Sequence, residues 1–215
     1  MRRVRRDLTV LVASLAVFAG CAAAVADGRV GGAERAVFHA VNGLPGWLYR
    51  PMLVAQYLGV LAMPLVVAAV ALALRRWRLA VALALVVPLK LAAEKVPKLL
   101  VERERPGVTV PDAVLRGVPH GGLSFVSGHA IITFAIAGLL VLVLPWRWGV
   151  VAIALATLNA VARVYLGAHN PLDVLGGAAV GLAIAAVLDL VLNVARDRTS
   201  SRRVRTAPAR KERTA

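Results

Sequence analysis

Residues 163–193 read RVYLGAHNPLDVLGGAAVGLAIAAVLDLVLN. A cluster of polar residues runs straight into an apolar segment here, and the junction decides the fold. Residues 172–193 form an apolar run long enough to cross a bilayer as a helix. Asn170 reads as the N-cap of that helix and Pro171 as its first residue. Asp173 then falls in the first turn, where its carboxylate can reach back to the imidazole of His169. A carboxylate on one ring nitrogen fixes the tautomer and frees the other nitrogen as a nucleophile. The same spacing also describes a capping carboxylate beside an interfacial histidine, so this stretch alone leaves both open.

Five further apolar runs precede it, at about 8–26, 51–74, 79–95, 130–145 and 149–166. The chain has 215 residues, 60% of them hydrophobic, and a mean hydropathy of +0.75, too apolar for a soluble domain of this size. The expectation is an all-α polytopic membrane protein, a six-transmembrane-helix bundle. The 79–95 run holds Pro88, Lys90 and Glu94. Lys90, Glu94 and Lys98 would form one charged stripe on a helix. That stripe reads either as an internal Lys90–Glu94 ion pair or as a device that orients Lys98.

A net charge of +15 first suggests nucleic acid, but its distribution argues otherwise. Arg2, Arg3, Arg5 and Arg6 precede the first run, and Arg75, Arg76 and Arg78 lie between the second and third. Arg147 separates the fourth and fifth, and eight Lys or Arg follow the sixth, from Arg196 to Arg213. With six spans all four segments share one side, which the positive-inside rule makes cytoplasmic. Anionic lipid is then the partner of the basic residues, not nucleic acid. Residues 196–215 read as a disordered basic cytoplasmic tail. Cys21 is the only cysteine, so there is no intramolecular disulfide. Phe18-Ala19-Gly20-Cys21 resembles a lipoprotein cleavage site and Ala24-Val25-Ala26 a signal-peptidase site. A retained first span is the favoured reading, and its removal would leave the orientation unchanged.

From a cytoplasmic N-terminus, the outward segments are about 27–50, 96–129 and 167–171, on the outer face of a bacterial inner membrane. Segment 33–50 reads as an interfacial helix with an aromatic anchor, or equally as an outer loop packed on the bundle. His39 in it reads as a polar-face residue. The long connection 99–126 reads as a functional lid or binding loop, with His120 an ordinary loop histidine.

Two more polar clusters fall on that outer face. Ser127-Gly128-His129 precedes the fourth span, so the free N–H groups of a helix start can face an anion. Gly128 lets the backbone approach a phosphate, and His129 would protonate the leaving oxygen. A plain serine cap explains the same residues. Lys98-x6-Arg105-Pro106 supplies two cations, and Arg163, in an otherwise apolar run, a third. Guanidinium groups suit bidentate phosphate binding and lysine acts as a point charge. No cluster has metal-ligand spacing, so the expected site is metal-independent and needs no cofactor.

Together, Lys98-x6-Arg105-Pro106, Ser127-Gly128-His129 and Arg163-x5-His169-x3-Asp173 resemble the motif set of the type 2 phosphatidic acid phosphatase superfamily, membrane branch. That family's pattern is K-x6-R-P, P-S-G-H and S-R-x5-H-x3-D. Val126 stands where the family usually has proline, and Ala162 where it has serine. The resemblance implies a six-helix bundle and a phosphohistidine on His169, oriented by Asp173. It implies that His129 acts as acid and then as base for water, while Lys98, Arg105, Ser127, Gly128 and Arg163 hold the phosphate. Loss of the serine at 162 removes at most one phosphate hydrogen bond, about 1 kcal/mol if neutral and about 3 if charged. With the site on the outer face, the resemblance implies as substrate a polyprenyl (undecaprenyl or decaprenyl) diphosphate released by cell-wall polymer synthesis. Phosphatidic acid, phosphatidylglycerol phosphate and lysophosphatidic acid are alternatives within the same chemistry. A non-catalytic lipid-phosphate binding or transport protein is the alternative of another class.

Overall fold

A computed structural model describes residues 2–119 and 121–194; His120 and the expected basic tail at 196–215 lie outside them. The apolar runs become helices, the conformation in which a segment satisfies its own backbone N–H and C=O groups without water. In order these are α1 (Arg2–Ala24), α2 (Gly32–Asn42), α3 (Tyr49–Gln56), α4 (Met63–Ala73), α5 (Trp77–Leu100), α6 (Pro106–Thr109), α7 (Gly128–Val143), α8 (Trp146–Tyr165) and α9 (Pro171–Leu192). Short 3-10 turns at Gly46–Leu48 and Tyr57–Gly59 flank α3. Among the described residues the sole β-pairing is an isolated bridge between Glu104 and Leu123.

By length and composition, α1, α8 and α9 can each cross a membrane. α5 has 24 residues but carries Lys90, Glu94, Lys95 and Lys98, and α7 has 16 residues. At about 1.5 Å per residue they are about 36 and 24 Å long. The run 51–74 departs from the expectation of one continuous span. It becomes α3 and α4, bent by 66° at the break. Pro64 sits in the first turn of α4 and offers no backbone donor to a preceding turn. At the break, the carbonyls of Ala55 and Gln56 each accept a 3.0 Å hydrogen bond from Asn159 Nδ2 on α8.

Packing centres on α9, which lies against α7 and α1; α7 also contacts α8 and α5, while α4 packs on α5 and α3 on α8. The α7–α9 approach is set by small residues. A Cβ on Gly177 would lie 2.5 Å from the Ser127 carbonyl oxygen, and one on Gly181 2.5 Å from that of Ile131. Such close backbone contact is how helices associate where lipid supplies no hydrophobic drive. Leu83, Val86, Phe125, Ile131, Ile132 and Leu139 fill the space between α5, α7 and their neighbours.

The two ends of the bundle differ in chemistry. At one end Arg3 Nη2 and Arg6 Nη2 bond Asp189 at 2.7 and 3.1 Å. Arg76 and Arg78 there donate to the carbonyls of Val143 and Asn193. At the other end lie the starts of α7 and α9, the last turn of α8 and the 101–127 connection. α2 covers this second end, with Glu34, Phe38 and Asn42 turned inward and Val37 exposed. Asn42 fixes it by donating to the carbonyls of Val114 and Tyr165 (both 3.0 Å) and accepting from the Val114 N–H at 2.9 Å. Trp47 protrudes from the surface, and His39 faces outward, 3.6 Å from Asp112.

Candidate active site

The starts of α7 and α9 are tied together, because the Ser127 N–H donates to the Asp173 carbonyl at 3.0 Å. Ser127 occupies the N-cap position of α7 but does not cap it with its side chain. Its Oγ is buried and has no partner among the described residues. A Cβ on Gly128 would lie 2.7 Å from Lys90 Cε and 2.8 Å from Glu94 Oε2. Glycine at 128 therefore lets the charged pair of α5 lie against the helix start. His129 follows, packed on Gly59 at the end of the broken second run.

The chain leaves α8 through Gly167 at φ +76°, a left-handed conformation that favours glycine. The Ala168 and His169 N–H groups both donate to the Arg163 carbonyl, at 2.9 and 3.3 Å. Arg163 and His169 are thus held on one turn. α9 starts as expected, with Asn170 as N-cap and Pro171 first.

Asp173 does not reach the imidazole directly, which corrects the expectation from spacing. Its Oδ2 is 3.9 Å from His169 Nδ1, beyond hydrogen-bond length. That oxygen instead accepts the Asn170 N–H at 2.8 Å and the hydroxyl of Ser124. Ser124 Oγ lies 3.3 Å from His169 Nδ1. A hydroxyl has one proton to give, and Ser124 gives it to Asp173, so Nδ1–H of His169 donates to Ser124. In this arrangement Nε2 of His169 carries no proton, and a serine intervenes where the spacing suggested a direct carboxylate contact.

Asp173 Oδ1 accepts from Arg103 Nη1 at 2.9 Å. Arg103 is fully buried and also bonds Glu34, at 3.1 and 2.6 Å, and the Arg29 carbonyl at 3.1 Å. Glu34 in turn accepts the Leu172 N–H at 2.9 Å. This network joins α2, the 101–127 connection and α9 behind His169. Burial works against the Arg103 charge, but hydrogen bonds to Glu34 and the charge of Asp173 outweigh it and raise its pKa. Burial lowers the pKa of Arg105. At His169 burial dominates, with Asp173 pulling upward and Arg163 pushing down, and the pKa falls to about 4. The imidazole is neutral at neutral pH.

In front of His169 opens a cavity of about 410 Å³, lined by Lys90, Glu94, Arg105, Gly128, His129, Arg163 and His169, with Gln56, Tyr57 and Pro119 at its sides. Arg105 Nη1 donates to the Ala168 carbonyl at 2.8 Å, and Arg163 Nη1 to Gln56 Oε1 at 2.6 Å. The Nε atoms of both arginines, like Ser127 Oγ, are buried without a hydrogen-bond partner among the described residues. Buried donors left open around a cavity suit a multivalent oxyanion. Among the described residues no three His, Cys, Asp or Glu side chains come together to hold a metal.

The structure thus brings seven of the sequence-selected residues to one place: Arg105, Ser127, Gly128, His129, Arg163, His169 and Asp173. Lys98 does not line the cavity. Its Nζ lies 2.5 Å from Glu94 Oε1, and Glu94 also pairs with Lys90. Both readings of the α5 stripe are therefore present in one shared carboxylate. Ser124, Arg103 and Glu34 were not legible as site residues; Arg103 sits between two glutamates in a charged loop, and Glu34 lies far away in sequence. Val126 and Ala162 are fully buried and neither lines the cavity.

Residues 75–197 match the family model described as PAP2 superfamily. The fold resembles that of LpxE from Aquifex aeolicus, with a TM-score of 0.65 and 23% identity over 71% of this chain and 92% of that one. It also resembles a transmembrane PAP2 type phosphatidylglycerolphosphate phosphatase from Bacillus subtilis, with a TM-score of 0.68 and 25% identity over 93% of this chain and 98% of that one. No curated protein matches the sequence.

Proposed function

The chain belongs to the PAP2 superfamily, and from that membership we propose a mechanism and a substrate for this membrane phosphatase. His169 Nε2 attacks the terminal phosphorus of a lipid phosphate. Arg105, Arg163, the Ser127 hydroxyl and the N–H groups at the start of α7 hold the phosphoryl oxygens, while Lys98 acts through Glu94. His129 protonates the leaving oxygen as its bond to phosphorus breaks. Water then attacks the phosphohistidine, giving its proton to His129, and inorganic phosphate leaves with His169 restored. Positioning plus charge stabilisation is most of what such a transfer needs. The convergence of two histidines with two open guanidinium groups in one cavity carries this reading.

The substrate is a polyprenyl diphosphate, converted to its monophosphate at the outer face of a bacterial inner membrane. Six spans, with both termini cytoplasmic, put the basic end of the bundle inside and the cavity outside. An apolar groove of about 150 Å³ supports a lipid tail. It is lined by Leu58, Met63, Val67, Thr133, Ile136 and Leu155 among others, and Thr133 is one turn from His129. The likeness to the Bacillus subtilis protein supports phosphatidylglycerol phosphate as the second reading. Purified protein in detergent with EDTA, given polyprenyl diphosphate, phosphatidylglycerol phosphate, phosphatidic acid and lysophosphatidic acid, tests both. The first reading expects the highest kcat/KM on the diphosphate; a higher value on phosphatidylglycerol phosphate selects the second. His169→Ala should abolish phosphate release, and an active His169→Ala protein would remove the nucleophile assignment. A reporter fused to the C-terminus should report cytoplasm.

A further inference from the structure

Lys90 lies in the cavity although no motif of the sequence includes it. It reaches the site from the middle of α5. That helix starts at the basic end, where Arg76 and Arg78 bond the ends of α7 and α9, and rises toward the site. Lys90 is eight residues before Lys98, so it lies about 12 Å deeper along the bundle. Its ammonium and Cε close on Gly128, the residue before His129. The two arginines are placed differently. Arg105 bonds the Ala168 carbonyl beside the nucleophile, while the Arg163 guanidinium bonds Gln56 and acts on both histidines. The cavity therefore has Arg105 on the side of attack, Arg163 acting on both histidines, and Lys90 as a further cation against Gly128, toward the membrane interior.

Displacement at phosphorus is in line, so the departing oxygen faces His129, opposite His169. In a lipid monophosphate that oxygen continues into carbon. In a lipid diphosphate it belongs to a second phosphate, which lies nearer the tail and gains negative charge as the P–O bond breaks. We infer that Lys90 binds this second phosphate and so favours lipid diphosphates over monophosphates, an inference that rests on the phosphatase mechanism above. In the step, the bond from His169 Nε2 to the terminal phosphorus forms and the bond from that phosphorus to the bridging oxygen breaks. The bridging oxygen keeps the electron pair and becomes a terminal oxygen of the lipid monophosphate, taking a proton from His129. Lys90 supplies charge to that product without exchanging a proton.

The arrangement of Glu94 makes Lys90 available for this role. A buried lysine whose only partner is one carboxylate could not leave it without stranding a charge. Glu94 holds both Lys90 and Lys98, so when Lys90 turns to a phosphate the carboxylate keeps a cation. The three groups carry a net charge of one, so the carboxylate can release one lysine to an added anion without being left unpaired.

The test compares Lys90→Met with the wild-type enzyme on farnesyl diphosphate and on phosphatidic acid, in the same detergent. The ratio of kcat/KM for the diphosphate to that for the monophosphate should fall about 10- to 100-fold, the worth of one charged hydrogen bond. Lys90→Gln leaves Glu94 paired with Lys98, keeps a neutral donor in place of the ammonium, and should show the same fall if Lys90→Met does not fold. An unchanged ratio in the folded variant overturns the inference, whether both activities are lost equally or neither is. A wild-type enzyme that hydrolyses phosphatidic acid but not the diphosphate overturns the inference and the polyprenyl reading together, while leaving the phosphatase mechanism standing.

Discussion

Arg103→Met removes the one cation that sits between two buried carboxylates. Arg103 is fully buried, its partners Glu34 and Asp173 are buried with it, and three carboxylate contacts of 2.6–3.1 Å are lost at once. Breaking a buried ion pair by deleting one member costs about 3–5 kcal/mol, because the remaining charge is left uncompensated. For a chain of this size each kcal/mol moves the unfolding midpoint by about 2–4 °C, so a fall of about 10 °C is expected. Cys21 provides the assay, since it is the only cysteine and is buried. A thiol-reactive dye will report it only as the protein unfolds. Adding Glu34→Gln to Arg103→Met removes one stranded carboxylate and should recover part of the loss, whereas additive losses would show that the two do not interact. A midpoint for Arg103→Met within about 2 °C of wild type would refute the argument that this guanidinium compensates the charge behind His169.

Ser124→Ala breaks the link from Asp173 to His169 Nδ1, so kcat should drop by about 10- to 100-fold with KM little changed; an unaltered kcat would mean that Asp173 acts without the serine. Gly59→Ala places a Cβ 2.7 Å from that of His129. A displacement of the acid by about 1 Å should lower kcat by about 100-fold, and normal turnover would show that the break at 57–62 absorbs the methyl. The acid limb of kcat/KM should reflect His169 near pH 4; a limb near 6.5, the ordinary histidine value, would indicate a solvated imidazole. The same shift has a stability consequence with a definite sign. The unfolded chain protonates His169 below about pH 6.5 while the folded one resists until about 4, so its contribution is complete above 6.5 and is lost as the pH falls toward 4. Unfolding midpoints read by circular dichroism should fall as the pH falls through that window, less so in His169→Gln.

The helix starts were legible because their signals are local. Asn170 and Pro171 mark the beginning of α9, and Gly128 that of α7, within one turn of chain. The positions of His129, His169, Arg105 and Arg163 followed from chemistry that an apolar sequence otherwise has no reason to contain. The bend in the second run was not legible, because hydropathy averaged over about twenty residues carries no information on direction. The sequence reading placed Lys98 at the phosphate and Lys90 in an ion pair, whereas Lys90 is the one that lines the cavity. Both flank Glu94 by one turn, and which of them enters the cavity depends on where α7 crosses α5. Ser124 and Arg103 act through partners about 45 and 70 residues away, and no spacing rule reaches that far. α2 shows the same limit, since its inward row contains Glu34 and Asn42 because Arg103 and two backbone carbonyls await them.

Ala55 and Gln56 leave the ribosome about a hundred residues before Asn159, the donor that satisfies their carbonyls. At about 5–20 residues per second, some 5–20 s of synthesis separate them. Throughout that interval the bend at 57–62 lacks its two hydrogen bonds from α8. The bent form therefore gains its brace from α8 only when that helix arrives. Gly59 packs against His129 of α7, which is made before α8, so this wall of the cavity is built in two stages, the α7 contact first and the α8 brace last.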